Sequence, residues 1–301
     1  AQAVASLAQD DHRQARGPAA RHQQHLCGSP PSLAMAYDEN FVYDGTGLLM
    51  HWSRPAAAAL VYLTGCAWHN KRLRRSSPAT GPTYARVVRV AAVVHNLVLV
   101  CFSATVFIQV LQLFSEHVRR LGLHEFLCAT PTGGELEPLG GRLHLWAYIF
   151  YLSKYYEMGD TVMLALQHKR IVLLHAVHHA FIPLTMVILF DGKVSVSVVS
   201  MSLVNSLVHV VMYAYYLASA LNVTPPVRWK KRITILQITQ FTTGVLGGTY
   251  YWCMYFQDVR FASAWPVVTY REGCAGGHPV MVLSGYIMNA LLLLLFLRFY
   301  V

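Results

Sequence analysis

Apolar residues come in long blocks separated by short polar, charged or Gly/Pro-rich links. Seven blocks follow one another, at roughly 52–69, 88–114, 143–166, 171–190, 194–221, 232–257 and 280–300. A helix needs about 20 mostly apolar residues to cross a hydrocarbon core, and most of these blocks reach that length. The first is the weakest, because Arg54 and Pro55 shorten it. Strands of a membrane barrel would be shorter and would alternate strictly, so the pattern predicts seven transmembrane helices in an all-α integral membrane protein. Residues 1–34 differ. They are rich in Ala, Gln, Arg and His, carry a Gly-Ser-Pro-Pro stretch at 28–31 and lack an apolar run. They are read as a disordered N-terminal tail, with residues 35–301 as the membrane domain.

Composition agrees with that class. Of 301 residues 55% are hydrophobic and only 13% charged, about half the charge of a soluble chain. The formal charge is +10. In a polytopic protein such an excess marks cytoplasmic loops or an anionic ligand rather than nucleic acid. The first, third and fifth connections, with their flanks, carry Lys71, Arg72, Arg74, Arg75, Arg86, Arg89, Lys169, Arg170, Arg228, Lys230, Lys231 and Arg232, with no Asp or Glu. The even connections mix Arg119, Arg120, Arg142, Lys193, Arg260 and Arg271 with Glu116, Glu125, Glu135, Glu137, Asp191, Asp258 and Glu272. Basic loops stay in the cytoplasm, which predicts an outside or lumenal N-terminus and a cytoplasmic C-terminus. The six cysteines are too few and scattered for a disulfide scaffold or a CxxC zinc site. Cys128 and Cys274 both fall on the lumenal side, where a bridge is permitted. Cys66, Cys101 and Cys253 lie in spans and read as packing residues.

Polar groups inside the spans carry the chemistry, since ionisable side chains in a membrane default to a functional role. On an ideal helix Lys154, Glu157, Asp160 and Thr161 of span three share an arc of about 120°. The plainer alternative is an ion-pair staple between helices. Span four opens with His175, His178 and His179 in a wedge of about 100°, able to bind metal, move protons or act as nucleophiles. Asn205, His209, Tyr213 and Tyr216 form a stripe on span five, although the tyrosines equally suit an interfacial aromatic belt. Thr234, Gln237 and Gln240 share a face of span six, as site residues or as interhelical glue. Each stripe lies near the end of its helix that faces the basic loops. Together they predict a polar chamber opening on a rim of Lys169, Arg170, Arg228, Lys230, Lys231 and Arg232, suited to a phosphate-bearing substrate or to headgroups.

In order, these residues read KxxExxDT at 154–161, HxxHH at 175–179, HxxMYxYY at 209–216 and TxxQxxQ at 234–240. That succession closely resembles the ELO family of very-long-chain fatty acid elongases, from about residue 35 to the end. The resemblance implies seven helices in the endoplasmic reticulum membrane, six of them forming a barrel around an acyl tunnel. It implies a 3-ketoacyl-CoA synthase that joins long-chain acyl-CoA to malonyl-CoA with loss of CO₂ and CoA and no bound cofactor or metal. It points to His178 as acyl acceptor, with His209 near the same carbon. His175 and His179 then manage tautomers and protons, Asn205 and Gln237 hold the oxyanion, and Lys154, Glu157 and Asp160 organise the histidines. Tyr213, Tyr216 and Gln240 are placed with the substrate, and the basic rim with the CoA phosphates. Membrane lipids and the other enzymes of the elongation cycle are the implied partners, and lipid-facing surfaces permit a homodimer. One departure is that the sequence ends at Val301 directly after the last span, without the lysine-bearing tail common in the family. Two other readings remain at this level. A diiron desaturase or hydroxylase also uses HxxHH, though one box plus His209 is a sparse iron shell. A seven-helix transporter or receptor also suits a buried polar chamber.

Overall fold

A computed structural model of the chain describes residues 49, 51–75, 81–123, 126, 141–190, 196–223, 226–262, 265–270 and 279–300. All lie in one compact unit, Tyr37–Val301. The tail at 1–34 and both Cys128 and Cys274 lie outside the described residues.

Among the described residues eight helices and one hairpin follow in order: α1 Ser53–Arg75, α2 Pro82–Leu121, α3 Gly141–Tyr156, α4 Gly159–Leu166, α5 Leu173–Phe190, α6 Val196–Ala220, α7 Val227–Tyr255, β1 Phe256–Ala262, β2 Trp265–Tyr270 and α8 Pro279–Tyr300. Among the described residues three stretches are long and apolar enough to cross a bilayer, at 82–120, 198–220 and 283–300. The protein is thus a multi-pass membrane protein, and the helical class stands. The expectation differs in three places. First, α2 overruns its apolar block at both ends. Its 40 residues give about 60 Å at 1.5 Å per residue, twice a hydrocarbon core, so its charged end turns project beyond. Pro82 at the first turn and Gly122, at φ +82°, set its limits. Second, the link after α7 folds into an antiparallel hairpin, Ala262 facing Trp265 and Phe256 facing Tyr270, with a bulge between Phe256 and Asp258. Third, the third span is two helices.

That interruption falls inside the KxxExxDT motif. Glu157 N–H still reaches the Ser153 carbonyl at 2.8 Å. Asp160 and Thr161 instead donate to residues three back, Glu157 at 3.0 Å and Met158 at 3.1 Å. The helix tightens by one 3₁₀ turn. Gly159 follows because a Cβ there would lie 2.9 Å from the Cε1 of His95. On α5, Pro183 cannot donate to the His179 carbonyl, so the turn bearing the histidines lacks that backbone bond.

The helices pack in a definite set of pairs. α2 runs along α6, α6 against α7, α7 against α8, α8 against α5, α5 against α3, and α3 against α2. α1 packs on α5. The main apolar core lies where α2, α3, α5 and α6 meet, around Val106, Phe150, Tyr151, Met186 and Val198. Close approach of α7 and α8 rests on Gly244 and Gly248, whose absent side chains leave room for Asn289 and Tyr286. Of the cysteines in helices, Cys66 is buried, whereas Cys101 and Cys253 occupy exposed positions rather than the core.

Candidate active site

The 3₁₀ turn fans the third-span side chains into three clusters instead of one stripe. Lys154 and Glu157 are almost fully buried, 3% and 2% exposed. Lys154 Nζ donates to Glu157 Oε1 at 2.8 Å and to Asn205 Oδ1 at 2.9 Å, and lies 3.9 Å from the centre of the Phe150 ring. Glu157 Oε1 also accepts from Ser153 Oγ at 3.1 Å and lies 3.6 Å from His209 Nδ1. The ion pair therefore ties α3 to α6, as a staple does, and simultaneously touches two polar residues of the α6 stripe. A lysine buried in hydrocarbon is tolerated only with such partners.

Asp160 forms the second cluster. Its Oδ1 lies 2.8 Å from His95 Nε2 of α2, its Oδ2 accepts the Tyr213 hydroxyl at 2.7 Å, and His179 Nε2 lies 3.9 Å away. Thr161 forms the third. Its Oγ1 lies 2.8 Å from His175 Nε2 and 2.6 Å from the Tyr62 hydroxyl of α1. The histidine wedge closes on itself. The His175 and His179 ring centres are 4.4 Å apart, and those of His178 and His179 5.0 Å, nearly perpendicular. Among the described residues His178 makes no side-chain hydrogen bond.

Two cavities meet at His178. The larger, about 790 Å³, is lined by Asp160, all three histidines of the wedge, His209, Tyr213 and Tyr216, and by Thr234 and Gln237. Its charged wall is Arg89, Lys169 and Lys230. The smaller, about 390 Å³, lies between α3, α5, α6, α7 and α8, lined in part by Ile182, Met186, Leu189, Gly244, Gly247 and Leu292. His178, Asn205, Gln240 and Phe241 line both. Lys154 reaches only the smaller one, and Glu157 lines neither. Arg170, Arg228 and Lys231 are exposed and outside either lining. Tyr213 is fully buried against Asp160, so the belt alternative fails for it, whereas Tyr216 is 43% exposed at the cavity edge. Gln237 Nε2 donates to the soft Met212 sulfur at 3.3 Å, which leaves the stripe of α7 facing α6.

Sequence reasoning missed His95, Tyr62, Ser153 and Arg89. His95 had a readable signal, a His-Asn pair inside an apolar block. A single tyrosine or serine in a span carries none. Among the described residues no three His, Cys, Asp or Glu side chains converge with metal-ligand geometry.

Comparison with known proteins now decides the class. The family described as ELO: GNS1/SUR4 family matches residues 47–301. Fatty acid elongase sre1 of Dictyostelium discoideum is 34% identical over 215 residues, 71% of this chain and 72% of that protein. Long chain fatty acid elongase 2 of Caenorhabditis elegans is 32% identical over 155 residues, 52% of each chain. Very long chain fatty acid elongase 3 of Homo sapiens is 34% identical over 109 residues, 36% of this chain and 40% of that one. No solved structure matches. The desaturase and transporter readings fall with this result: the chain belongs to the ELO (GNS1/SUR4) family and is a fatty acid elongase, a condensing enzyme.

Proposed function

We propose that the protein condenses a long-chain acyl-CoA with malonyl-CoA through an acyl group carried on His178. One observation carries the reading: His178 stands where a wide, charged cavity meets a narrow apolar one. A thioester with its CoA in the first and its alkyl chain in the second puts the carbonyl carbon beside the imidazole. The neutral ring attacks that carbon, the C–S bond breaks, and CoA leaves as thiolate. Malonyl-CoA then takes the vacated cavity and loses CO₂, and the C–C electron pair becomes an enolate. The enolate carbon attacks the acyl-imidazole and the C–N bond breaks. That step restores His178 and yields the 3-ketoacyl-CoA.

The surroundings suit both steps. Lys154 occupies Asn205 Oδ1, so the Asn205 amide turns its N–H groups toward the cavities as oxyanion donors. Gln237 is the second donor, since a thioether holds it only weakly. His209, beside Glu157, is placed to hold a proton. His175 and His179 fix the wedge. Lys169 and Lys230 meet the CoA phosphates, while Arg170, Arg228 and Lys231 face headgroups.

The pairwise packing of α2, α6, α7, α8, α5 and α3 returns to its start. This supports a six-helix barrel around the acyl tunnel, with α1 outside it. Loop charge supports an endoplasmic reticulum protein with its N-terminus lumenal and its C-terminus cytoplasmic. No bound cofactor or metal enters this chemistry. The other enzymes of the elongation cycle are partners by chemistry, because a 3-keto product must be reduced and dehydrated before another round.

Radiolabelled acyl-CoA supplied alone should release CoA and leave label on the protein. His178→Ala should abolish both labelling and condensation, a loss of at least about 10³-fold. Retention of either in the variant overturns the assignment.

A further inference from the structure

α1 contributes no residue to any of the four motifs, yet its Tyr62 ends a chain that leads into the histidine wedge. The Tyr62 hydroxyl lies 2.6 Å from Thr161 Oγ1, Thr161 Oγ1 lies 2.8 Å from His175 Nε2, the His175 ring is 4.4 Å from that of His179, and His179 is 5.0 Å from His178. The Tyr62 and His179 rings are themselves 6.4 Å apart. We infer that Tyr62 is a positioning residue, setting the tautomer and orientation of His175 through Thr161, so that α1 is part of the catalytic apparatus and not only a membrane anchor. The inference rests on the proposed role of the wedge.

One arrangement gives each bond its own proton and follows acceptor strength. The other neighbour of the Tyr62 hydroxyl is the Cys66 thiol, a weak acceptor, so we assign the Tyr62 proton to Thr161 Oγ1. Thr161 then has its own proton free for His175 Nε2. Nε2 is thereby the acceptor, and the His175 proton resides on Nδ1. Without Tyr62, Thr161 loses its donor, and Nε2–H of His175 can give to Thr161 instead, so both tautomers become available.

The placement is held firmly. Asn70, two turns along α1 from Tyr62, makes two bonds to the backbone of Ile171, Nδ2 to the carbonyl at 2.8 Å and Oδ1 from the N–H at 3.0 Å. His69 adds a contact to the Lys169 carbonyl at 3.0 Å, and Cys66 is buried between. These bonds fix α1 in register with the segment that leads into α5. Since Lys169 also lines the larger cavity, α1 holds the wedge and the cavity wall together.

The test pairs kinetics with a readout that does not depend on turnover. Protein carrying ¹⁵N-histidine in lipid nanodiscs should show His175 as the Nδ1–H tautomer, and Tyr62→Phe, which removes one oxygen, should mix the two forms. An unchanged tautomer in Tyr62→Phe overturns the inference. In the condensation assay Tyr62→Phe should lower kcat about tenfold with KM for acyl-CoA within about twofold. Thr161→Val should match it, the double variant should be no worse than Thr161→Val alone, and Thr161→Ser should retain wild-type kcat. Additive losses, or a change in KM alone, overturn the inference. Should the wild-type protein release no CoA, the proposed condensation falls, while the tautomer spectrum still decides the role of Tyr62.

Discussion

The two cavities that meet at His178 are built on different principles. The wide one carries hydrogen-bonding groups contributed by α2, α4, α5, α6 and α7, and its central ones are held by partners at 2.7–2.8 Å: Asp160 by His95 and Tyr213, and His175 by Thr161. The narrow one is made by absence. Gly247 leaves open space that aliphatic side chains of α5 and α8 border, while Gly244 and Gly248 let Asn289 and Tyr286 of α8 come close. A polar site in lipid needs every group satisfied, because an orphan costs several kcal/mol there. An apolar slot needs only shape. Substitutions in the first should therefore act through unpaired charge, and substitutions in the second through volume.

The largest effect belongs to the Lys154–Glu157 ion pair, buried beside the smaller cavity. Lys154→Ala leaves Glu157, 2% exposed, with no cation against it. Removing one partner of a buried pair costs about 3–5 kcal/mol. The variant should lose that much stability in thermal melts of purified protein, together with all condensation. Lys154→Met combined with Glu157→Gln should recover the melting temperature, since neither group is then charged, but not activity, since Asn205 is no longer oriented by Lys154. Recovery of activity in the double variant would make the pair a staple and nothing more.

Glycines of α7 give the next effect, and they separate volume from clash. A Cβ at Gly244 would lie 2.5 Å from Asn289 Oδ1, whereas at Gly247 it would meet nothing within 4 Å. Gly244→Ala should therefore force α7 and α8 apart, at about 1–3 kcal/mol, with turnover falling as the seam loosens. Gly247→Val should fold normally and place its methyls in the narrow cavity. Its longest product, read by mass spectrometry, should be shorter by about two carbons. An identical product ladder would mean that the acyl chain does not run past Gly247.

This contrast also explains how much could be read before any coordinates. The polar cavity was legible because charge in an apolar block is rare and stands out: His175, His178 and His179 share one helix face and Asn205 and His209 another, and all five line it. The helices were legible for the same reason, by length and hydropathy. The fan of Lys154, Asp160 and Thr161 was not, because an ideal 100° per residue hides a 3₁₀ turn, and the approach of His95 to Gly159 there joins residues 64 positions apart. The hairpin at 256–270 did carry alternation, Phe, Val and Tyr among polar neighbours, but it lay in a stretch already assigned to a link. The narrow cavity was illegible in principle. A glycine marks space only when its neighbours are known.

The smallest effect tests the outer wall of the wide cavity, where sequence alone had treated all rim charges alike. Lys230 lines the cavity and Lys231, next to it on α7, does not. Both side chains are exposed, so water and salt screen whatever they bind, and a single contact to phosphate there is worth well under about 1 kcal/mol. Lys230→Glu should raise KM for acyl-CoA about three- to fivefold, because reversal replaces attraction by repulsion, and the shift should shrink as salt is added. Lys231→Glu should leave KM within about twofold. Equal shifts in the two would indicate that the CoA phosphates feel the summed field of the rim. A shift for Lys231 alone would place the nucleotide on the outer face of α7 and away from the cavity that leads to His178.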